Sequence, residues 1–256
     1  MKRLVIKVGT AVLTQDGQLA LERMDNLVNL ISKLKNEKNL QVILVSSGAV
    51  GAGFTSLKLD KKIVANKQAL AAIGQPLLLK HYKKRFKQHN IVCAQMLFIA
   101  DDFDSRKRSK NAQNVMEILL DNNILPIINE NDVIATEELV FGDNDQLAAH
   151  VAYYFKADML AILSDIDGYY NKNPREFSDA ILQKNISQID SSQLKMKHSA
   201  NSEFATGGIV TKLKAADFLM KKGIPMYLSS GFDLTNAYDF LVEGNHKSGT
   251  VFQSIK

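Results

Sequence analysis

The chain has one cysteine, four prolines and no tryptophan in 256 residues. Its single thiol, Cys93, has no internal disulfide partner, and a reducing cytoplasm suits such a chain. Cys93 lies in the apolar run 91–96 and reads as a small buried hydrophobe. With so few prolines and no Ser/Gly-rich stretch, nothing marks a linker, and no internal repeat or low-complexity segment is present. One domain over 1–256 is therefore expected. No apolar run approaches the ~20 residues of a membrane helix. The amino terminus enters a strand pattern at once, so no signal peptide is expected either. The five histidines, at 81, 89, 150, 198 and 246, show no metal-ligand spacing. A nucleophile elbow and a Walker A loop are also missing.

What is present is an ordinary globular composition, 46% hydrophobic and 23% charged, enough to bury a full core. The net charge is +5, with basic clusters at Lys83-Lys84-Arg85 and Arg106-Lys107-Arg108. Neither cluster interleaves with aromatics as a single-strand binder requires. Both read as solvated helix faces, and nucleic acid is not an expected partner. A polyanionic small substrate is the other use for positive charge.

Apolar strand-like runs recur at 4–8, 42–45, 91–96, 124–128, 159–163 and 225–228. Between them, Met24, Leu27, Val28, Ile31 and Leu34 repeat at helical spacing, as do Leu70, Ile73, Leu77, Leu78 and Tyr82. Val115, Ile118, Leu119 and Asn122 end another helix, and 147–155 reads as a buried one. Strand–helix alternation implies an α/β fold with a mostly parallel sheet covered by helices on both sides. The segment 132–141 differs: Val133 to Thr136 and Leu139 to Phe141 flank Glu137-Glu138 like a short hairpin, suited to a lid.

The densest polar signal is Ile128-Asn129-Glu130-Asn131-Asp132, followed by Gly142-Asp143-Asn144-Asp145. It comes directly after a fully apolar run. In open α/β sheets ligands bind at the carboxyl ends of strands, so the pair reads as a site for a small polar molecule carrying an amine. An Asn/Asp-rich turn is the plain alternative. Lys7 ends the first strand and precedes Val8-Gly9-Thr10; it is either a snorkelling core-edge lysine or a phosphate holder. Ser46-Ser47-Gly48-Ala49-Val50-Gly51-Ala52-Gly53 follows the second strand, with small residues that admit an anion or simply pack closely. Ser164-Asp165-Ile166-Asp167-Gly168 lacks the closing ligands of a calcium loop and suits a nucleotide contact. Thr206-Gly207-Gly208-Ile209-Val210-Thr211-Lys212 turns into a helix over 213–222, with a lysine one turn in.

In this order the segments resemble the glutamate 5-kinases, of the amino acid kinase family, over almost the whole chain. The resemblance implies a three-layer αβα sandwich around a mainly parallel eight-stranded sheet. It implies ATP-dependent phosphorylation of L-glutamate to L-glutamyl 5-phosphate, the first step of proline synthesis, without a P-loop. Lys7 and Lys212 match the family's catalytic lysines, and Asp145 matches the carboxylate that orients them, with Asp143 assisting. Ser47, Gly48, Ala49, Asn129, Asp132 and Asn144 match substrate contacts. Lys7, Gly9, Thr10, Ser164, Asp165 and Thr206, Gly207, Gly208, Ile209, Val210, Thr211 and Lys212 match ATP contacts. Mg²⁺ is expected to arrive with ATP, and no separate protein metal site is expected. A homo-oligomer and feedback inhibition by proline are implied as well, beside the cytoplasmic location that the lone thiol suits. Many relatives carry a C-terminal PUA domain related to RNA-binding modules, and its absence is expected here. Acetylglutamate or uridylate kinases share the fold and stay as alternatives, as does a non-catalytic amino-acid sensor.

Overall fold

The structure, a computed structural model, describes residues 1–135, 144–174, 176–194 and 208–255. The first half runs β1 (Arg3–Val8), α1 (Thr10–Leu13), β2 (Thr14–Gln15), β3 (Gln18–Leu19), α2 (Leu21–Asn36), β4 (Gln41–Ser46), α3 (Ala49–Ser56), α4 (Val64–Phe86) and β5 (Cys93–Phe98). Then come α5 (Ala100–Asp104), α6 (Arg106–Asp121), β6 (Leu125–Glu130), α7 (Asn144–Tyr154) and β7 (Met159–Ser164). The chain ends with β8 (Asn185–Ile186), α8 (Ser191–Leu194), α9 (Gly208–Lys221), β9 (Met226–Ser230), α10 (Thr235–Leu241) and β10 (Thr250–Phe252). Each of the six expected apolar runs forms a strand.

The strands make one eight-stranded sheet in the order β5-β6-β4-β1-β7-β9-β10-β8. All neighbours are parallel except β9 with β10. β1 is buried on both sides and shows how the layers form. Leu4, Ile6 and Val8 pack with α2, α4 and α10, while Val5 packs with α6, α7 and α9. By the two-residue alternation of a strand, Arg3 and Lys7 share the side of Val5. This is the expected three-layer αβα sandwich with a mainly parallel sheet. β4 lies on one side of β1 and β7 on the other, and Val8 stands level with Ser46 and Leu163. The order reverses at β1, which opens a crevice at its carboxyl end.

α3 and α4 touch through their backbones. A Cβ on Gly53 would lie 1.9 Å from the Leu70 carbonyl oxygen, and one on Gly74 would lie 1.8 Å from that of Ala49. Only glycine permits this approach, and it clamps the loop before α3 in place.

Several local expectations are corrected. α6 does end at Asp121 with Asn122 as its cap, as expected, and its buried positions are Met116 and Leu120, whereas Val115 and Ile118 are 48% and 64% exposed. Cys93 is half-buried, and burial pushes its thiol up to about 12. Residues 132–134 form a turn, with the Ile134 and Ala135 amides donating to Asn131 O, so the first arm of the expected hairpin is not a strand up to Ala135. The rest of that hairpin, 136–141, lies outside the described residues. α9 starts at Gly208, five residues before the expected Leu213.

Candidate active site

Lys7, at the carboxyl end of β1, is 2% exposed. A lone ammonium this deep is costly, and it needs a partner. Asp145 supplies one from the first turn of α7, where the helix dipole also favours a carboxylate. Its Oδ1 lies 2.5 Å from Lys7 Nζ, and its Oδ2 lies 3.0 Å from Lys212 Nζ. Lys212 is itself 3% exposed, and Asp145 is fully buried. The lysine folds back along the first turn of α9 so that Nζ also donates to Gly208 O at 2.9 Å. Thr211 Oγ1 donates to Asp145 Oδ2 at 3.0 Å, and Gln146 Nε2 donates to Thr211 O, tying α7 to α9. Two ammonium groups thus share one carboxylate. Among the described residues the three groups sum to one positive charge at the sheet's switch point, buried from water.

Beside it lies a cavity of about 410 Å³. Its floor is the loop from Ser47 to Gly51, with Thr10 at one side. Gly48 takes φ +98° and begins α3 with no side-chain cap, so orphan amides of that helix start open onto the cavity. Asn144 Nδ2 lies 3.0 Å from Ser46 O, 2.9 Å from Ser47 Oγ and 2.8 Å from Asn129 Oδ1. Asn129 in turn donates to Gln75 Oε1 at 2.8 Å and accepts from the Glu130 amide at 2.9 Å. The Ser46 hydroxyl meets Tyr82 OH at 2.9 Å. This buried amide chain locks the carboxyl ends of β4 and β6 to α7 and α4. The remaining lining is charged: Asp132 and Glu130 from the end of β6, and Lys67 from the start of α4.

All the expected catalytic residues and all the expected substrate residues converge on this region. Asn129 is engaged on both sides of its amide, which makes it a wall that holds Asn144 as much as a contact. Thr10, expected on the nucleotide side, lines the same cavity as the residues expected to meet the substrate. Gly9 and Ser164 stand at the adjoining ends of β1 and β7. The Gly9 amide donates to Leu163 O at 3.1 Å, and the Ser164 hydroxyl donates to Asp165 Oδ1 at 2.8 Å. Gly208, Ile209, Val210 and Thr211 form the first turn of α9, with Val210 turned into the core. Asp167 accepts from Tyr170 OH at 3.0 Å. Thr206, Gly207 and Asp143 lie outside the described residues.

Four residues escaped the sequence reading: Lys67, Glu130, Gln75 and Tyr82. Glu130 sat inside the polar motif without a role. Lys67 and Gln75 carry no local signal, since only the packing of α4 on α3 brings them to the site. A larger cleft of about 820 Å³ opens elsewhere, between α2 and residues 232–238. The buried Lys7–Asp145–Lys212 cluster lies beside the smaller cavity, not beside this cleft. Among the described residues, no three His, Cys, Asp or Glu side chains gather to hold a metal ion, and no helix is long and apolar enough to cross a membrane.

Residues 2–230 match the model of the amino acid kinase family. The chain is 55% identical over 256 residues to the glutamate 5-kinase of Wolinella succinogenes, covering 98% of each. It is 51% identical to that of Leishmania donovani, covering 96% of the relative. Against the glutamate 5-kinase of Caldanaerobacter subterraneus subsp. tengcongensis, identity is 42% and the chain spans 68% of the relative's length. Among solved structures, the Giardia lamblia carbamate kinase bound to AMP-PNP superposes with a TM-score of 0.68 at 16% identity, over 99% of both chains. An isopentenyl phosphate kinase substrate complex gives 0.65 at 15%, over 98% of this chain and 99% of that one; likeness at that level speaks for the fold. The chain belongs to the amino acid kinase family, on its glutamate 5-kinase branch.

Proposed function

We propose that this chain transfers the γ-phosphoryl group of ATP to the γ-carboxylate of L-glutamate, giving L-glutamyl 5-phosphate and ADP, the first step of proline synthesis. The observation that carries the reading is the buried Lys7–Asp145–Lys212 cluster beside a cavity lined by both acid and base. A γ-carboxyl with a reference pKa of about 4.3 is already ionised at neutral pH, so no general base is needed. One carboxylate oxygen attacks the γ-phosphorus, the bond to the β,γ-bridging oxygen breaks, and that electron pair leaves on ADP. The obstacle is repulsion between anions, and such transfers rely on positioning and cations. Lys7 and Lys212 neutralise the charge on the transferring oxygens, and Asp145 fixes both ammonium groups. Mg²⁺ bound to the nucleotide phosphates supplies further neutralisation. Ser164, Asp165 and the start of α9 face the nucleotide. Asp132 pairs with the substrate ammonium, which disfavours an acetylated substrate.

ADP release over glutamate, acetylglutamate, aspartate and UMP tests the reading. Glutamate alone should support turnover, and preference for any other acceptor would overturn it. Proline carries the same α-carboxylate and amine, and we assign its feedback binding to the same cavity. In that assay, inhibition that excess glutamate cannot relieve would place proline elsewhere. A homo-oligomer and a cytoplasmic location complete the proposal; sedimentation at the 28.5 kDa monomer mass would remove the former.

A further inference from the structure

We propose that Lys67 is the cation that receives the substrate's α-carboxylate, and so the residue by which the cavity selects a dicarboxylic amino acid. The inference rests on the glutamate reading above. If the γ-carboxylate faces Lys7 and Lys212, the α-carbon lies three carbon–carbon bonds outward, toward the mouth lined by Asp132, Glu130 and Lys67. That outer end of the substrate is a zwitterion. Its ammonium suits the acidic pair, but the same pair repels the α-carboxylate. Among the described residues that line the cavity, Lys67 is the only cation.

Its place in the fold points the same way. Lys67 sits in the first turn of α4, a 23-residue helix with no acidic residue in that turn and no side-chain cap. A cation at a helix amino terminus opposes the macrodipole, and helices ordinarily place acids there. Here the dipole and the lysine add, making one positive spot on an otherwise acidic rim. That spot has the sign that an α-carboxylate seeks. The backbone contact of Gly53 and Gly74 sets α4 against α3, so the spot is held at a fixed distance from the Ser47–Gly51 floor.

The test compares three ligands on the full chain: glutamate, 4-aminobutyrate, which lacks the α-carboxylate, and glutarate, which lacks the amine. Lys67→Met should raise KM for glutamate and Ki for glutarate on the order of ten- to a hundredfold, as for one lost charge-assisted hydrogen bond. Both kcat and Ki for 4-aminobutyrate should stay within about threefold by the same reasoning, and Lys67→Arg should restore most of the glutamate affinity. Asp132→Asn should do the reverse, weakening glutamate and 4-aminobutyrate but not glutarate. A glutamate KM unchanged in Lys67→Met, or equal losses for all three ligands, overturns the assignment. Failure of the wild-type chain to release ADP with glutamate would instead overturn the reading beneath it.

Discussion

Strand β1 carries a buried cation at each end, Arg3 and Lys7, on the same side of the sheet and roughly 13 Å apart at 3.3 Å per residue. Both meet a carboxylate from a helix of the same layer, yet the two ends do opposite things. Arg3 is saturated. Its guanidinium donates to Gln41 Oε1 at 3.0 and 2.9 Å, to both oxygens of Glu117 at 2.9 and 2.8 Å, and to Phe155 O. The planar fork uses its donors on the protein itself, which makes the amino end a clasp between β1, β4 and α6. Lys7 shares Asp145 with a second lysine, Lys212, so at the carboxyl end two ammonium groups meet one carboxylate. The lesson is that burial and pairing do not distinguish structure from function. What distinguishes them among the described residues is the ratio of charges, one cation to one carboxylate at Arg3 and two cations to one carboxylate at Lys7.

The sharpest way to break the comparison is to delete each cation and ask which property falls. Lys7→Ala or Lys212→Ala should lower turnover by about a hundredfold or more, comparable to losing one preorganised oxyanion donor. KM for ATP should change less. Each deletion also leaves Asp145 with one ammonium instead of two, so chemical unfolding should shift only modestly. Near-normal turnover in a correctly folded Lys212→Ala protein would end its assignment.

Arg3→Met should do the opposite. It leaves Gln41 Oε1 and Phe155 O without their donor, at a cost of about 2 kcal/mol of folding stability. Glu117 is 46% exposed and can rehydrate, which keeps the loss below that of a fully buried broken pair. Turnover at a temperature where the variant is folded should stay within twofold. A large fall in kcat would show that the two ends of β1 are coupled and that the clasp positions Lys7.

The same contrast marks what the sequence could reveal. Apolar runs name the buried strands because parallel strands covered on both faces tolerate little else, and all six are where the runs lie. The amides and carboxylates that end β6 and follow it drew attention because such groups are disfavoured in the interior of a sheet and gather where a strand ends, and they line the cavity. Short elements were invisible: β8 and β10 have two and three residues, too few for a period to register. The β2–β3 hairpin did carry a legible signal, Asp16-Gly17, whose positive φ values of 51° and 73° suit the residue pair favoured in two-residue hairpin turns. Val115 and Ile118 marked the end of α6 but lie exposed, since apolar identity does not say which side of a helix is covered. Lys67 and Gln75 were hidden for a deeper reason. Their contribution depends on two glycines, Gly53 and Gly74, twenty-one residues apart and meeting backbone to backbone.

The smallest effect tests the clasp through protons. The hydrogen bonds from Arg3 hold the Glu117 carboxyl below its ordinary range. A carboxylate whose pKa is depressed in the folded state adds stability above its unfolded pKa, near 4.3. That contribution fades as pH falls through the lower, folded value. Glu117→Gln is neutral at every pH and removes the term. Urea midpoints of the wild-type and Glu117→Gln proteins should therefore differ at pH 7 and converge as pH drops below about 4. Because Glu117 is nearly half exposed, solvent and salt screen the pair, and the difference at pH 7 should stay below about 1 kcal/mol and shrink further in high salt. Turnover at pH 7 should be unchanged, since the clasp lies at the far end of β1 from the cluster. A midpoint difference that persists undiminished into acid would mean that Glu117 acts through shape and hydrogen bonding, with no help from its charge.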